Sequence, residues 1–111
     1  MKNYKTEAKY QHHVIEELER RFPGAFVLKN DPHYIQGIPD LTVLWKDKWA
    51  TLECKKSEKD YKKDFTPNQH IYVQKMKNMS YSSFIFPENE QEVLDEVERA
   101  FTKKSRRKSC G

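Results

Sequence analysis

Tyr10, Val14, Ile15, Leu18 and Phe22 recur at helical spacing between charged residues, which predicts an amphipathic helix over residues 6–22. Pro23-Gly24 stops it. One line up this helix reads Glu7, Gln11, Val14 and Leu18. A polar end on an otherwise apolar line puts Glu7 and Gln11 at the edge of the core, where a cleft can form. After Pro23-Gly24 the period shortens to two. Residues 25–29 predict a short strand, Asn30-Asp31-Pro32-His33 a turn, and the loop runs on to Gly37. Residues 41–45 are a second strand, Lys46-Asp47-Lys48 a hairpin turn and residues 49–55 the return strand. In that strand Ala50, Leu52 and Cys54 alternate with Thr51, Glu53 and Lys55. Glu53 and Lys55 therefore share a face, about 7 Å apart along the strand.

Residues 56–65 are mostly polar and read as a mobile loop. Thr66-Pro67-Asn68-Gln69 then marks a helix start, with Thr66 as N-cap, Pro67 in the first turn and Gln69 as capping-box partner. That helix runs to about Met79, with Ile71, Tyr72, Met76 and Met79 as its apolar stripe. A strand over residues 82–86 closes at Pro87, and Asn89 to Glu92 repeats the capping pattern. The last helix turns Val93, Leu94, Val97 and Phe101 inward. The order helix, strand, strand, strand, helix, strand, helix predicts an α/β fold: a mixed central sheet flanked by helices. Neither an internal repeat nor a linker interrupts it, so residues 1–102 form a single domain, followed by a tail over residues 103–111.

Composition sharpens this picture at three points. The chain has 111 residues, 36% hydrophobic and 34% charged, which allows one modest core under a strongly polar surface. Six Phe, six Tyr and two Trp supply the area such a core needs. No segment approaches the roughly 20 apolar residues of a membrane span, and Met1-Lys2-Asn3-Tyr4-Lys5 leads into no apolar region. A cytoplasmic setting is the expectation. Cys54 in a strand and Cys110 in the tail do not suggest a disulfide framework, which fits a reducing compartment. His12 and His13 are adjacent, so on a helix they diverge by about 100° and do not share a metal. The net charge is +4, yet Lys103, Lys104, Arg106, Arg107 and Lys108 leave residues 1–102 at −1. Such a tail suits a polyanion, nucleic acid first; the alternative is a solubilising end or a remnant of cloning.

Against that background one constellation carries chemistry. Gly37-Ile38-Pro39-Asp40 is followed, thirteen residues after the aspartate, by Glu53-Cys54-Lys55. In a hairpin turning near residue 47, positions 40 and 53 lie nearly opposite, within about 5.5 Å. Two carboxylates so placed can hold a hard cation such as Mg²⁺, with the backbone carbonyl of Cys54 as a third oxygen. Lys55 on the same face can orient or deprotonate an attacking water, or stabilise the charge of a phosphoryl transition state. The cation would act as Lewis acid and lower the pKa of the water. Gly37 permits close backbone approach or a positive φ, and Pro39 is tolerated at a strand start. The plainer alternative is an ordinary hairpin, with Glu53 and Lys55 facing solvent and Asp40 a turn acid.

Gly37-Ile-Pro-Asp40, a hairpin, Glu53-Cys-Lys55 and the Thr66-Pro-Asn-Gln69 helix start together resemble the PD-(D/E)xK nuclease superfamily. The likeness is closest to small, stand-alone, phage-type VRR-NUC domains, and it runs from about Glu7 to Ala100. It implies a restriction-endonuclease-like core, Asp40 and Glu53 as Mg²⁺ or Mn²⁺ ligands and Lys55 as the catalytic lysine. Glu7 matches the helical carboxylate that meets the metal directly or through water, with Glu16 and Glu17 as alternatives. Gln69 matches a glutamine beside the site, although the same residue also reads as a capping partner. Lys29 is placed either to reach a phosphate or simply on the surface. The branch's Val-Arg-Arg run is not matched, because the late strand reads Phe84-Ile85-Phe86-Pro87.

The activity so implied is metal-dependent endonucleolytic hydrolysis of DNA, structure-specific and directed at branched substrates such as four-way (Holliday) junctions. It implies a homodimer, with Tyr72, Tyr81 and Phe84 as interface candidates. Two other readings stay open: a non-catalytic nucleic-acid-binding accessory protein, and a small interaction protein of a mobile element that uses its basic tail.

Overall fold

A computed structural model describes residues 3–63 and 66–103. The first helix, α1 (Glu7–Arg21), begins where the Thr6 hydroxyl accepts the Lys9 N–H at 3.1 Å. Glu7 in its first turn and Arg20 and Arg21 in its last suit the helix dipole. Tyr10, Val14 and Leu18 are buried along one side, as their spacing predicts. The helix ends at Phe22, whose N–H donates to the Leu18 carbonyl, and Gly24 turns the chain at φ +90°.

Four strands follow the predicted order: β1 (Phe26–Lys29), β2 (Leu41–Trp45), β3 (Lys48–Cys54) and, after two helices, β4 (Ser82–Ile85). They form one sheet in the order β1-β2-β3-β4. The first two pairings are antiparallel and β3-β4 is parallel, so the sheet is mixed. The β2-β3 hairpin turns on Lys46-Asp47, one residue tighter than predicted, with Trp45 paired to Lys48. Lys46 sits at φ 58° and lays its ammonium 4.3 Å from the Trp45 ring centre.

Helices cover both faces. On one, α1 and the last helix, α4 (Glu90–Thr102), pack Leu18, Phe22, Val93, Leu94, Val97 and Phe101 onto Leu41, Val43, Leu52 and Cys54. On the other, α3 (Pro67–Met79) supplies Val73 to a smaller cluster with Phe84 and Phe86. That helix is also the crossover that makes β3 and β4 parallel. Among the described residues no helix is long and apolar enough to cross a membrane.

Several expectations need correction. Part of the predicted mobile loop is a helix, α2 (Glu58–Lys63). Ser57 Oγ accepts the Asp60 N–H at 3.0 Å, and Lys56–Asp60 and Lys62–Glu58 pair one turn apart at 2.8 and 3.2 Å. Tyr61 anchors this helix, its ring stacked 5.1 Å from that of Phe86. Residues 64 and 65 of that stretch lie outside the described residues. The predicted stripe on α3 is also displaced: Val73 is buried, while Ile71 and Met79 are exposed.

Neither expected cap forms through its side chain. Thr66 makes no side-chain cap hydrogen bond to α3. Asn89 turns back instead, its Oδ1 accepting the Phe86 N–H at 2.8 Å and its Nδ2 donating to the Phe84 carbonyl at 3.2 Å. Two of the three proposed interface aromatics are interior, Tyr81 at 7% and Phe84 at 8% exposure. Of the basic tail only Lys103 is described, at the end of α4; Lys104, Arg106, Arg107, Lys108 and Cys110 lie outside the described residues.

Candidate active site

The hairpin register decides the centre of the site. Leu41 pairs with Leu52, so the next positions outward, Asp40 and Glu53, face one another. Backbone N–H groups hold both carboxylates: that of Asp40 donates to Glu53 Oε1 at 3.1 Å, and that of Cys54 donates to Asp40 Oδ2 at 3.0 Å. Glu53 is 2% exposed and Lys55 3%, so the alternative of solvent-facing strand residues does not hold. Lys55 Nζ lies 3.9 Å from Glu7 Oε2, which brings the start of α1 to the same end of the sheet. Cys54, between the two, turns its thiol into the main core, and burial pushes that thiol well above its ordinary pKa. It is therefore not a nucleophile.

Helix α3 completes the constellation. Gln69 Nε2 donates to Glu53 Oε2 at 2.6 Å, so this side chain serves the carboxylate rather than a capping box. Its amide oxygen is buried without a hydrogen-bond partner. From α1, the Gln11 side chain hydrogen-bonds Asp40. Gln11 was marked in the sequence only as a polar residue at the end of an apolar line, and that position is the signal that finds it.

Asn30 is a second residue that sequence reasoning missed, since it reads as a plain turn former. Its N–H donates to the Asp40 carbonyl at 2.8 Å, and its side chain spans Pro39 O at 2.9 Å and Thr42 Oγ1 at 2.8 Å. The other candidates lie elsewhere. Glu16 meets His12 at 3.3 Å and Glu17 pairs with Arg20, both on the surface. His13 meets Glu90, which also accepts the Tyr10 hydroxyl, so the two histidines diverge as expected. Lys29 is exposed at the end of β1.

Gly37 fixes how the loop before Asp40 packs. Its φ is +90°, and a Cβ there would fall 2.5 Å from Asn68 Cβ, one residue before Gln69. Gly37→Ala is expected to destabilise the fold by about 2 kcal/mol or more, through backbone strain and overlap together. In an Asn68→Gly background, which removes the overlapping atom, the same substitution should cost less. Urea denaturation of the four proteins measures both.

The charges at the centre do not balance. Burial, and then the Asp40 carboxylate, push Glu53 up to about 8, against the opposing effects of Lys55 and the Asp40 N–H. Burial likewise raises Asp40, opposed by the Cys54 N–H, Lys55 and Gln11. Among the described residues, buried Glu53 and half-buried Asp40, with Glu7 nearby, thus share the Lys55 ammonium and favour added positive charge, whether a proton or a cation. Among the described residues no group of three or more His, Cys, Asp and Glu is arranged to hold a metal. Any cation here would rest on the Asp40–Glu53 pair, with amide and backbone oxygens beside it. Comparison of the chain with protein-family models, with curated proteins and with solved structures finds no match, so the reading of this site rests on its own chemistry.

Proposed function

We propose that this chain is a divalent-metal-dependent endodeoxyribonuclease of the PD-(D/E)xK type, built on a restriction-endonuclease-like core and similar to small VRR-NUC domains. The observation that carries the reading is buried Glu53 facing half-buried Asp40, each carboxylate held by a backbone N–H, with buried Lys55 beside them. The donor set fits Mg²⁺ or Mn²⁺: two carboxylates short of positive charge, and next to Glu53 the unpartnered amide oxygen of Gln69. Asp40, Glu53 and the Cys54 carbonyl would hold the ion, with Glu7 reaching it through water. When bound, it supplies Lewis acidity toward a phosphodiester.

The chain's own groups do the rest. The N–H groups of Asp40 and Cys54 and the amides of Gln11 and Gln69 fix the two carboxylates, so little reorganisation is needed as charge develops. Lys55 places a buried ammonium at the same end of the sheet, where it orients the attacking water or stabilises the pentavalent phosphate.

Phosphates have a second contact surface in α2. Residues 55–63 carry five lysines and two acids, and α2 makes their spacing rigid directly after Lys55. Lys59→Glu with Lys63→Glu is expected to weaken DNA binding and to make its salt dependence shallower by about 2 in log–log slope. Fluorescence titrations across a salt series measure it. The basic tail is a further candidate for phosphate contact, and shape rather than base sequence is read. Cutting both strands of a junction takes two such sites, hence a homodimer; the exposed cross-strand pair Phe26 and Leu44, with Leu28, offers apolar surface for it. A buried free thiol at Cys54 accords with a cytoplasmic setting.

The accessory-protein reading is favoured by one observation, the contact of Glu7 with Lys55, which a purely structural ion pair would also give. Calorimetric titration with Mn²⁺ separates the two. The nuclease reading expects a saturable site that Asp40→Ala abolishes; equal heats from both proteins would support the accessory role.

A further inference from the structure

Tyr34 is 84% exposed, the most exposed of the large hydrophobic side chains among the described residues. Its mount is rigid. Asp31 Oδ1 accepts the His33 N–H at 2.8 Å, and the Asp31 carbonyl accepts the N–H groups of Tyr34 and Ile35 at 3.1 and 3.3 Å. Ile38 N–H closes a further turn onto the Ile35 carbonyl at 3.3 Å. The loop's two ends are joined where Asn30 N–H meets the Asp40 carbonyl, and Gly37 seats the loop against Asn68 on α3. The ring is therefore held out by a segment whose last residue is Asp40. The loop leaves the end of β1 and enters β2 opposite the end of β3, the sheet end that carries Glu53 and Lys55. Tyr34 lies six positions before Asp40, so even a fully extended chain keeps them within about 20 Å, a few nucleotides' reach.

Phe26 and Leu44 pair across strands, but Tyr34 lies outside the sheet, in the loop, with its side chain exposed. An exposed aromatic beside a phosphate-binding surface suits a base that has left its own stack, because stacking needs no particular sequence. Bases inside a continuous duplex already stack on their neighbours and offer no free face. We propose that Tyr34 is the platform for an unpaired nucleobase within a few nucleotides of the scissile phosphate, which selects DNA with flaps, forks or single strands over intact duplex. This rests on the nuclease reading above.

The test uses a fluorescein-labelled single strand, a fork and a blunt hairpin duplex, titrated with the full chain in Ca²⁺ to hold cleavage back. Tyr34→Ala is expected to weaken binding to the single strand and the fork by about tenfold and to leave the blunt duplex unchanged. Tyr34→Trp restores binding. Equal effects of Tyr34→Ala on all three DNAs, or none on any, overturn the proposal. Cleavage of the same DNAs by the parent protein in Mn²⁺ is read alongside. If the parent cuts them and Tyr34→Ala binds as the parent does, the platform alone falls; if the parent neither binds nor cuts any of them, the nuclease reading falls and takes the platform with it.

Discussion

Lys55→Met is expected to abolish measurable DNA cleavage, a loss of at least about 10²–10³-fold, while the protein stays folded and binds Mn²⁺ as well as before or better. The substitution keeps an unbranched stem in a position that is only 3% exposed, so packing is largely retained. It removes the ammonium that partly offsets the Asp40 and Glu53 carboxylates. With that charge gone, the pair attracts a divalent ion more strongly, because a competing like charge has left. Activity and metal affinity therefore move in opposite directions. Asp40→Ala differs in losing both. A lysine that served only the fold would show neither the split nor the loss of cleavage at intact stability. Single-turnover cleavage and Mn²⁺ calorimetry on the two variants read it out.

The second large effect is on stability. Glu53 holds its proton up to about 8 in the folded chain, against an ordinary value of 4.5. Between those values the folded state binds more protons than the unfolded one, so metal-free stability falls as pH rises through this window and is greatest below it. Asp40 is shifted in the same direction and adds to the slope. The loss for Glu53 is on the order of 4 kcal/mol by pH 8. Glu53→Gln mimics the protonated acid, and the buried, unpartnered oxygen of Gln69 can turn to accept from the new amide. In EDTA the variant should be less stable than its parent by little or nothing at pH 5 and clearly more stable at pH 8. Mn²⁺ should stabilise the parent at pH 8 by binding the folded state, and not the variant. Urea denaturation at the two pH values, with and without metal, checks this; a parent with pH-independent stability would contradict it.

These expectations depend on contacts that the sequence made legible to different degrees. The hairpin was readable because Ala50, Leu52 and Cys54 alternate with Thr51, Glu53 and Lys55 and the turn beside Asp47 is short, which together fix register. Asp40 opposite Glu53, and Lys55 on the face of Glu53, follow from that register alone. The Gln69 signal was double, cap or site. A helix N-terminus near water can leave its N–H groups to solvent, whereas a buried carboxylate needs a donor, so Glu53 takes the amide.

Helix α2 escaped notice because nothing in Lys56 to Lys63 repeats at apolar spacing. Its order comes from Ser57, from ion pairs and from the single ring of Tyr61, which finds Phe84 and Phe86 only in three dimensions. The stripe on α3 was misplaced for a related reason. The face of β3 beneath it carries Thr51 and Glu53, so α3 meets a partly polar surface: Thr51 Oγ1 lies 3.3 Å from Met76 Sδ, while Ile71 and Met79 stay outside. Asn30 needed the fold itself, whereas the place of Gln11 on the apolar line of α1 marked it for the core edge but not for Asp40.

The most direct test is a cleavage assay with a panel of single-stranded, nicked, flapped and four-way-junction DNAs. Parent and Asp40→Asn proteins, purified in parallel, are incubated with the panel in Mn²⁺ and in EDTA. The account predicts that the parent cuts at least one branched substrate in Mn²⁺ and none in EDTA, and that Asp40→Asn cuts none while remaining folded. An uncut panel, or equal cutting by Asp40→Asn, would contradict it.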